Sequence, residues 1–382
     1  MSQHFIPAVF YRGGTSKGVF FNAKVLPQDR DRLSHMLVAA LGSPDPYGRQ
    51  LDGMGGGISS LSKAVIIGPS THPEADVDYT FIQIAVDQPV ADWSNNCGNL
   101  SSAVGHFAVD EGLVAAKDGE VLVRIHQTNT RKLIHSRFQV KDGKAQTQGD
   151  YVIAGVATPG SRIRLDFLDP DGAVTGRLLP TGHVVDTIDL GEDGRFEVSI
   201  VDATSLIVYV DATALGLTGA ESPDEIEARP SVMDRLEALR RRAGVLLGLA
   251  VTPETVGLQT PRIAMVAAPL TFKALDGDEI AADRYDIATR MISMQRAHKA
   301  IPGTGGLNLG VATQIADTIP NRLSRPASAA GEVRVANPSG LVSVGAVVRQ
   351  RDGMWTADSA VLFRTARRLM QGEVAIPASS GQ

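Results

Sequence analysis

The sequence predicts an α+β protein built from two similar halves, each made of strands wrapped around one central helix, with a cleft between them. Three observations lead there. Short runs rich in Val, Ile, Phe and Tyr recur along the whole chain, among them "GVFFNA", "DYTFIQIAV", "FEVSIVDA" and "LIVYVDA", and they outnumber the helical patterns. Segments of the first half can be laid on segments of the second in the same order. Two glycine-entered helix starts, "CGNLSSAVG" from Cys97 and "PGTGGLNLG" from Pro302, occupy matching places in the two series.

The matches run in register. "GTSKGVFF" lies on "ATSLIVYV", placing Thr15 and Ser16 opposite Thr204 and Ser205, and "SKAVIIGP" lies on "PRIAMVAAP", placing Lys63 opposite Arg262. The helix starts then place Cys97 opposite Pro302, Gly98 opposite Gly303 and Gly105 opposite Gly310. The halves meet near residue 185, giving expected domains 1–184 and 185–382, with the terminal strands free to return to the first. Apolar spacing predicts helices over Asp29 to Leu41, Asn99 to Glu111, part of Ser222 to Leu247, Ala281 to Ala300 and Leu307 to Asp317, with a terminal piece near Phe363 to Met370. "DPDG", "LPTG" and "NPSG" supply turns between strands.

With 382 residues, 43% of them hydrophobic, the chain buries a large core and exceeds the usual domain size. Its 37 basic and 42 acidic residues leave a net charge of −5 with no long run of either sign, which argues against nucleic acid or anionic lipid as partner and for a small molecule. No stretch approaches the roughly 18 consecutive apolar residues that cross a bilayer, and the start "MSQHFIPAVFYRGG" has no signal-peptide pattern, so a cytoplasmic location is expected. A homodimer is compatible with the sequence. One cysteine allows neither an internal disulfide nor a Cys-rich metal site. Gly53, Gly55 and Gly57 do not fit a dinucleotide fingerprint, "GGTSKG" is not a phosphate loop, and the histidines show no metal-ligand spacing, so no cofactor and no metal are expected.

The candidate chemistry gathers at the helix starts. Leu100, Val104, Phe107 and Ala108 repeat at helical spacing behind Gly98 and Asn99, so Cys97 falls at a helix N-terminus. Unpaired N–H groups and the positive dipole end there activate a thiol and hold carboxylates, and Gly98 lets a ligand approach the backbone. Gly303, Thr304 and Gly305 offer a second anion site, but Pro302 excludes a two-thiol acid/base pair. Lys63 follows a glycine-rich loop and opens an apolar strand, where a partly desolvated amine can serve as a base. Thr15, Ser16 and Lys17 in the turn "YRGGTSKG", and Ser60 in the loop ahead of Lys63, are expected substrate-binding residues. His298, four residues before Pro302, either reaches a bound carboxylate or ends a helix.

The segments "YRGGTSKG", "GSPDPYGRQLDGMGGGISSLSKAV", "DYTFIQIAVDQPVADWSNNCGN", "LLPTG", "ISMQRAHKAIPGTGG", "NPSG" and "FRTARRLMQGEV" together resemble the PrpF family over almost the whole chain. That resemblance implies the diaminopimelate epimerase-like fold, in which each pseudo-symmetric half is a mixed sheet around a central helix and the active site lies in the cleft. It also implies a cofactor-independent isomerase that moves a proton on an unsaturated di- or tricarboxylate. The family's catalytic lysine and cysteine correspond to Lys63 and Cys97. The expected reaction is 2-methylaconitate cis-trans isomerisation, in propionate breakdown through the methylcitrate cycle, with 4-oxalomesaconate tautomerisation as the alternative. A carboxylate-binding accessory protein of a dehydratase is the non-enzymatic one. Two segments depart from the family pattern, "GVATPGSR" from Gly155 and "NPSG" with Asn337, and a changed choice of acid follows if either touches substrate.

Overall fold

The structure is a computed structural model and describes residues 3–94, 96–328 and 331–378. It divides into two compact units, Met1–Phe167 with Phe363–Gln382, and Leu168–Leu362. The boundary thus falls earlier than the expected 184/185. Residues after 168 hydrogen-bond to strands of the second unit: Gly172 N donates to Asp202 O at 2.8 Å and Asp202 N to Leu178 O at 2.9 Å.

In the first unit, strand Gln3–Gly13 turns back into Ser16–Asn22. The second of these runs parallel to Lys63–Pro69, with Val19 opposite Ala64, and Lys63–Pro69 pairs antiparallel with Val77–Ile84. Val77–Ile84 lies parallel to Gly119–Gln127, with Val77 opposite Ile125, and Gly119–Gln127 pairs antiparallel with Lys132–Lys141. The last strand, Ala366–Pro377, pairs with Gln3–Gly13.

The second unit repeats this order. Arg195–Ala203 turns into Ser205–Asp211, which runs parallel to Arg262–Ala267 with Val208 opposite Ile263. Ile287–Ser293 follows antiparallel, Glu332–Asn337 lies parallel to it with Ile287 opposite Val335, and Gly340–Arg351 closes the series antiparallel. Val19 and Ala64 are the very residues that the sequence match sets against Val208 and Ile263, so the repeat holds to the residue, not merely in outline.

Each series surrounds a helix. Gly98–Asp110 is buried along one unbroken stretch from Leu100 to Val109, and Gly303–Ala312 from Gly305 to Ala312. A helix apolar on all sides is stable only when strands cover every face. Tyr11, Phe20 and Phe107 meet inside the first unit with ring centroids 5.1 to 6.5 Å apart. Small residues let the strands close in. A Cβ on Gly310 would stand 2.9 Å from Gly345 O, and one on Gly105 2.5 Å from the Phe138 ring.

Two expected helices are strands. Residues 281–300 contain Ile287–Ser293 and Arg296–Ala297, joined through Met294 and Gln295 at φ 50° and 60°. Ile287 to Ile292 are buried without interruption, so the run carries no alternation that would betray a strand. The stretch Phe363 to Met370 lies in strands Met354–Arg364 and Ala366–Pro377, fixed by pairing with the distant N-terminal strand. The remaining helices keep their places with shifted ends. Asp29 caps Arg30–Leu41, Pro230 splits Ser222 to Leu247 into Pro223–Glu227 and Pro230–Leu246, and the helix expected over 307–317 spans Gly303–Ala312. Among the described residues no helix is long and apolar enough to cross a membrane.

Candidate active site

Lys63 opens its strand with an inward-facing side chain and is only 8% exposed. Its Nζ donates to Gln83 Oε1 at 2.5 Å and stands 4.9 Å from the centre of the Phe81 ring. Gln83 is the residue directly opposite Lys63 in the antiparallel register, and Phe81 lies two residues away on the same face. The Gln83 amide has no freedom to turn over, since its Nε2 donates to Ser59 O at 3.0 Å and Ser62 O at 2.8 Å. Among the described residues no carboxylate forms an ion pair with Lys63. Lys63 is thus held by a neutral acceptor and an aromatic face and not by a structural salt bridge. Gly18 sets the depth of this corner, because a Cβ there would meet both Lys63 O and the Leu100 side chain at 2.9 Å.

Cys97 is the N-cap of Gly98–Asp110, extended at φ −121° and ψ 98°, with a side chain that makes no capping bond. Its carbonyl accepts from Ser101 N at 3.0 Å, Ser101 Oγ at 2.9 Å and Tyr79 OH at 3.4 Å. The thiol is thus spared from helix capping and sits 9% exposed. Burial, with the Cys97 charge adding to it, pushes the Tyr79 phenol well above its ordinary value, so Tyr79 acts as a neutral donor.

Asn99 ties three parts of the unit together. Its Nδ2 donates to Thr15 Oγ1 at 3.1 Å and approaches Ser16 Oγ at 3.5 Å, while its Oδ1 accepts from Arg364 Nε at 3.0 Å. The Gly13–Gly14 turn makes this possible: a Cβ on Gly13 would lie 2.7 Å from Asn99 O, and Gly14 takes φ +53° against the Asn99 amide. Arg12 locks the same turn by donating to Gly14 O and Thr365 O. Thr15 is exposed and Ser16 buried beside the helix start. Lys17, the next residue along, points to the other face of the strand, with its Nζ 5.5 Å from the Phe10 ring centre, so it does not join this group. Ser60 is half-buried in the turn Ser59–Leu61.

The corresponding corner of the second unit carries different groups. Arg262 occupies the register position of Lys63 and donates to Thr304 Oγ1 at 3.1 Å, while Thr204 Oγ1 donates to Thr304 O at 2.9 Å. Gly303 and Thr304 are exposed at the start of the helix Gly303–Ala312, and Gly305 is buried in it. His298 follows a strand rather than ending a helix, its N–H bonded to Met291 O at 2.9 Å. Burial and the Arg262 charge push its ring below the ordinary value, leaving it neutral near pH 7. An arginine in place of the lysine, and Pro302 in place of the cysteine, give this unit anion-holding groups without a base or a thiol.

The model of the family described as PrpF protein matches residues 3–377. The chain belongs to the PrpF family. It is 40% identical over 373 residues to a 3-methylitaconate isomerase of Eubacterium barkeri, covering 97% of this chain and 96% of that one. Against a 2-methyl-aconitate isomerase of Cupriavidus necator it is 39% identical over 388 residues, covering 97% of each. A crystal structure of methylitaconate-delta-isomerase superposes with a TM-score of 0.92 at 39% identity, covering 100% of this chain and 98% of that one. This PrpF chain is an isomerase.

Three residues of the site were outside the sequence reading as functional candidates: Gln83, Arg364 and, beyond its place in the repeat, Arg262. Gln83 follows only from strand register, which neighbouring letters do not show. Arg364 reaches Asn99 across 265 positions of sequence.

Proposed function

We propose that the protein is a proton-shifting isomerase of unsaturated tricarboxylates, with 2-methylaconitate as substrate and cis-trans isomerisation as the reaction. The observation that carries this is Lys63, an almost fully buried amine with no carboxylate partner among the described residues, in a chain whose relatives include a 3-methylitaconate isomerase and a 2-methyl-aconitate isomerase. A C–H next to a conjugated carboxylate is a weak acid, so its removal requires a positioned base and donors for the charge that spreads onto the carboxylate oxygens.

In this reading neutral Lys63 takes the allylic proton and becomes an ammonium. The electron pair delocalises into a dienolate, held by the N–H groups that follow Cys97 at the helix start. Thr15 and Ser16 orient a further carboxylate. The former double bond now has single-bond character and rotates. The Cys97 thiol then returns a proton to carbon, and the ammonium and thiolate reset by exchange with solvent. No cofactor enters any of these steps.

Isomer conversion followed by NMR on 2-methylaconitate, methylitaconate, aconitate and 4-oxalomesaconate tests the assignment. The highest kcat/KM on 2-methylaconitate supports it. Turnover confined to 4-oxalomesaconate replaces it with the tautomerase reading, and no turnover of any of the four overturns it.

A further inference from the structure

Arg364 makes no ion pair with a carboxylate among the described residues. Its Nε donates to Asn99 Oδ1 at 3.0 Å and its Nη1 to Phe363 O at 2.9 Å, both neutral acceptors. Among the described residues no carboxylate pairs with it, and Nη2 has no partner. Its stem crosses the Gly13–Gly14 turn so closely that a Cβ on Gly14 would stand 3.0 Å from Arg364 Cδ. Burial pushes the guanidinium down to about 10, with the Tyr151 and Cys97 charges acting the other way. The side chain is half-buried and its described partners are all neutral, so the guanidinium keeps its charge available to an anion.

The surroundings define that anion. Arg364 stands at the Asn99 side chain, two residues along from Cys97, where the first N–H groups of the helix Gly98–Asp110 have no intrahelical acceptor. Asn99 cannot serve as a ligand itself while both ends of its amide are engaged, Nδ2 by Thr15 and Oδ1 by Arg364. Its amide fixes which edge of the guanidinium is occupied and leaves the Nη2 edge open. We propose that Arg364 binds a substrate carboxylate at the start of this helix, and that Asn99 is the positioning residue that holds its guanidinium there. The proposal rests on the isomerase reading above and adds the group that recognises one of the substrate's acids. A planar fork with one free edge suits a carboxylate better than a point charge would.

Propane-1,2,3-tricarboxylate, a saturated and therefore unreactive tricarboxylate, is the probe. Calorimetric titration of the wild type, Arg364→Met, Arg364→Lys and Asn99→Ala is expected to show binding weakened about 10- to 100-fold by Arg364→Met. Arg364→Lys gives an intermediate loss. Asn99→Ala raises the KM for 2-methylaconitate several-fold more than it lowers kcat, and its effect largely disappears in the Arg364→Met background. Binding by a folded Arg364→Met within twofold of wild type overturns the proposal, as does the absence of wild-type binding at millimolar probe. A crystal structure of the wild type with the probe decides the case without any variant: a carboxylate on Arg364 Nη2 supports the proposal, and one bound elsewhere refutes it. Probe binding is read without catalysis, so an enzyme that isomerises none of the acids would sink the functional reading and still leave this one to be judged.

Discussion

Replacing Gln83 by Glu changes one atom group of the molecule and reverses the electrostatics of the proposed base. Lys63 Nζ lies 2.5 Å from Gln83 Oε1, and the other end of the amide donates to two backbone carbonyls, which a carboxylate would face with a bare oxygen and draw back from. Two unit charges about 4 Å apart attract by about 4 kcal/mol at an effective dielectric near 20. Desolvating the new carboxylate, and losing its two bonds to Ser59 and Ser62, cancels roughly half of that. About 2 kcal/mol remains in favour of the ammonium, which moves the acid limb of the pH profile of kcat/KM upward by about 1.5 units. Activity near neutral pH therefore falls about 10- to 100-fold and recovers in alkali. The assay is kcat/KM against pH for wild type, Gln83→Glu and Gln83→Ala, with circular dichroism as the check on folding. The alanine variant loses orientation and lowers kcat without the same displacement of the limb. A folded Gln83→Glu enzyme whose acid limb stays where the wild type has it would refute the role given to this pair.

Three other outcomes follow from the geometry. Gly13→Ala forces a Cβ to within 2.7 Å of Asn99 O and 3.0 Å of Leu100 Cα, both backbone atoms, so it should cost about 1–3 kcal/mol in urea unfolding and lower activity. Cys97→Ala should keep deuterium exchange at the carbon that Lys63 deprotonates and lose isomerisation; equal loss of both would assign the first proton transfer to Cys97 as well. His106 is buried with both ring nitrogens unpartnered, and burial, with the Arg12 charge, pushes it from 6.5 to about 3. The unfolded chain takes up a proton near 6.5 that the folded chain refuses until about 3, so stability is whole above 6.5 and declines as the pH falls toward 3. His106→Leu should flatten that decline in urea midpoints measured from about pH 7 to about pH 5, and an unchanged acid sensitivity would contradict it.

The duplication was legible because it is written in residues whose type the fold needs. Gly105 and Gly310 stand where a helix meets a sheet, Gly98 and Gly303 open the two helices, and Thr15–Ser16 with Thr204–Ser205 mark the two hairpins. The places of Lys63 and Cys97 in the fold were legible too, one opening a buried strand and the other preceding a glycine-entered helix, while a role for Lys63 came from the family resemblance alone. Residues 287–292 were not, since this strand is covered on both faces, buries even Thr289 and Arg290, and so shows no alternation that separates it from a buried helix. Lys17 shows the limit of reading a motif as a unit. In "GGTSKG" it adjoins Ser16, yet the period of two along a strand turns neighbours to opposite faces. Gln83 and Arg364 act through register and long-range packing, to which local pattern is blind.

The central claim is that Lys63 removes a proton from carbon. Incubation of the wild type and of Lys63→Ala in D2O with 2-methylaconitate, with the C–H signals followed by NMR, tests it most directly. The account predicts deuterium uptake by the wild type and none by a folded Lys63→Ala. Uptake at the wild-type rate by that variant, or none by the wild type, would contradict it.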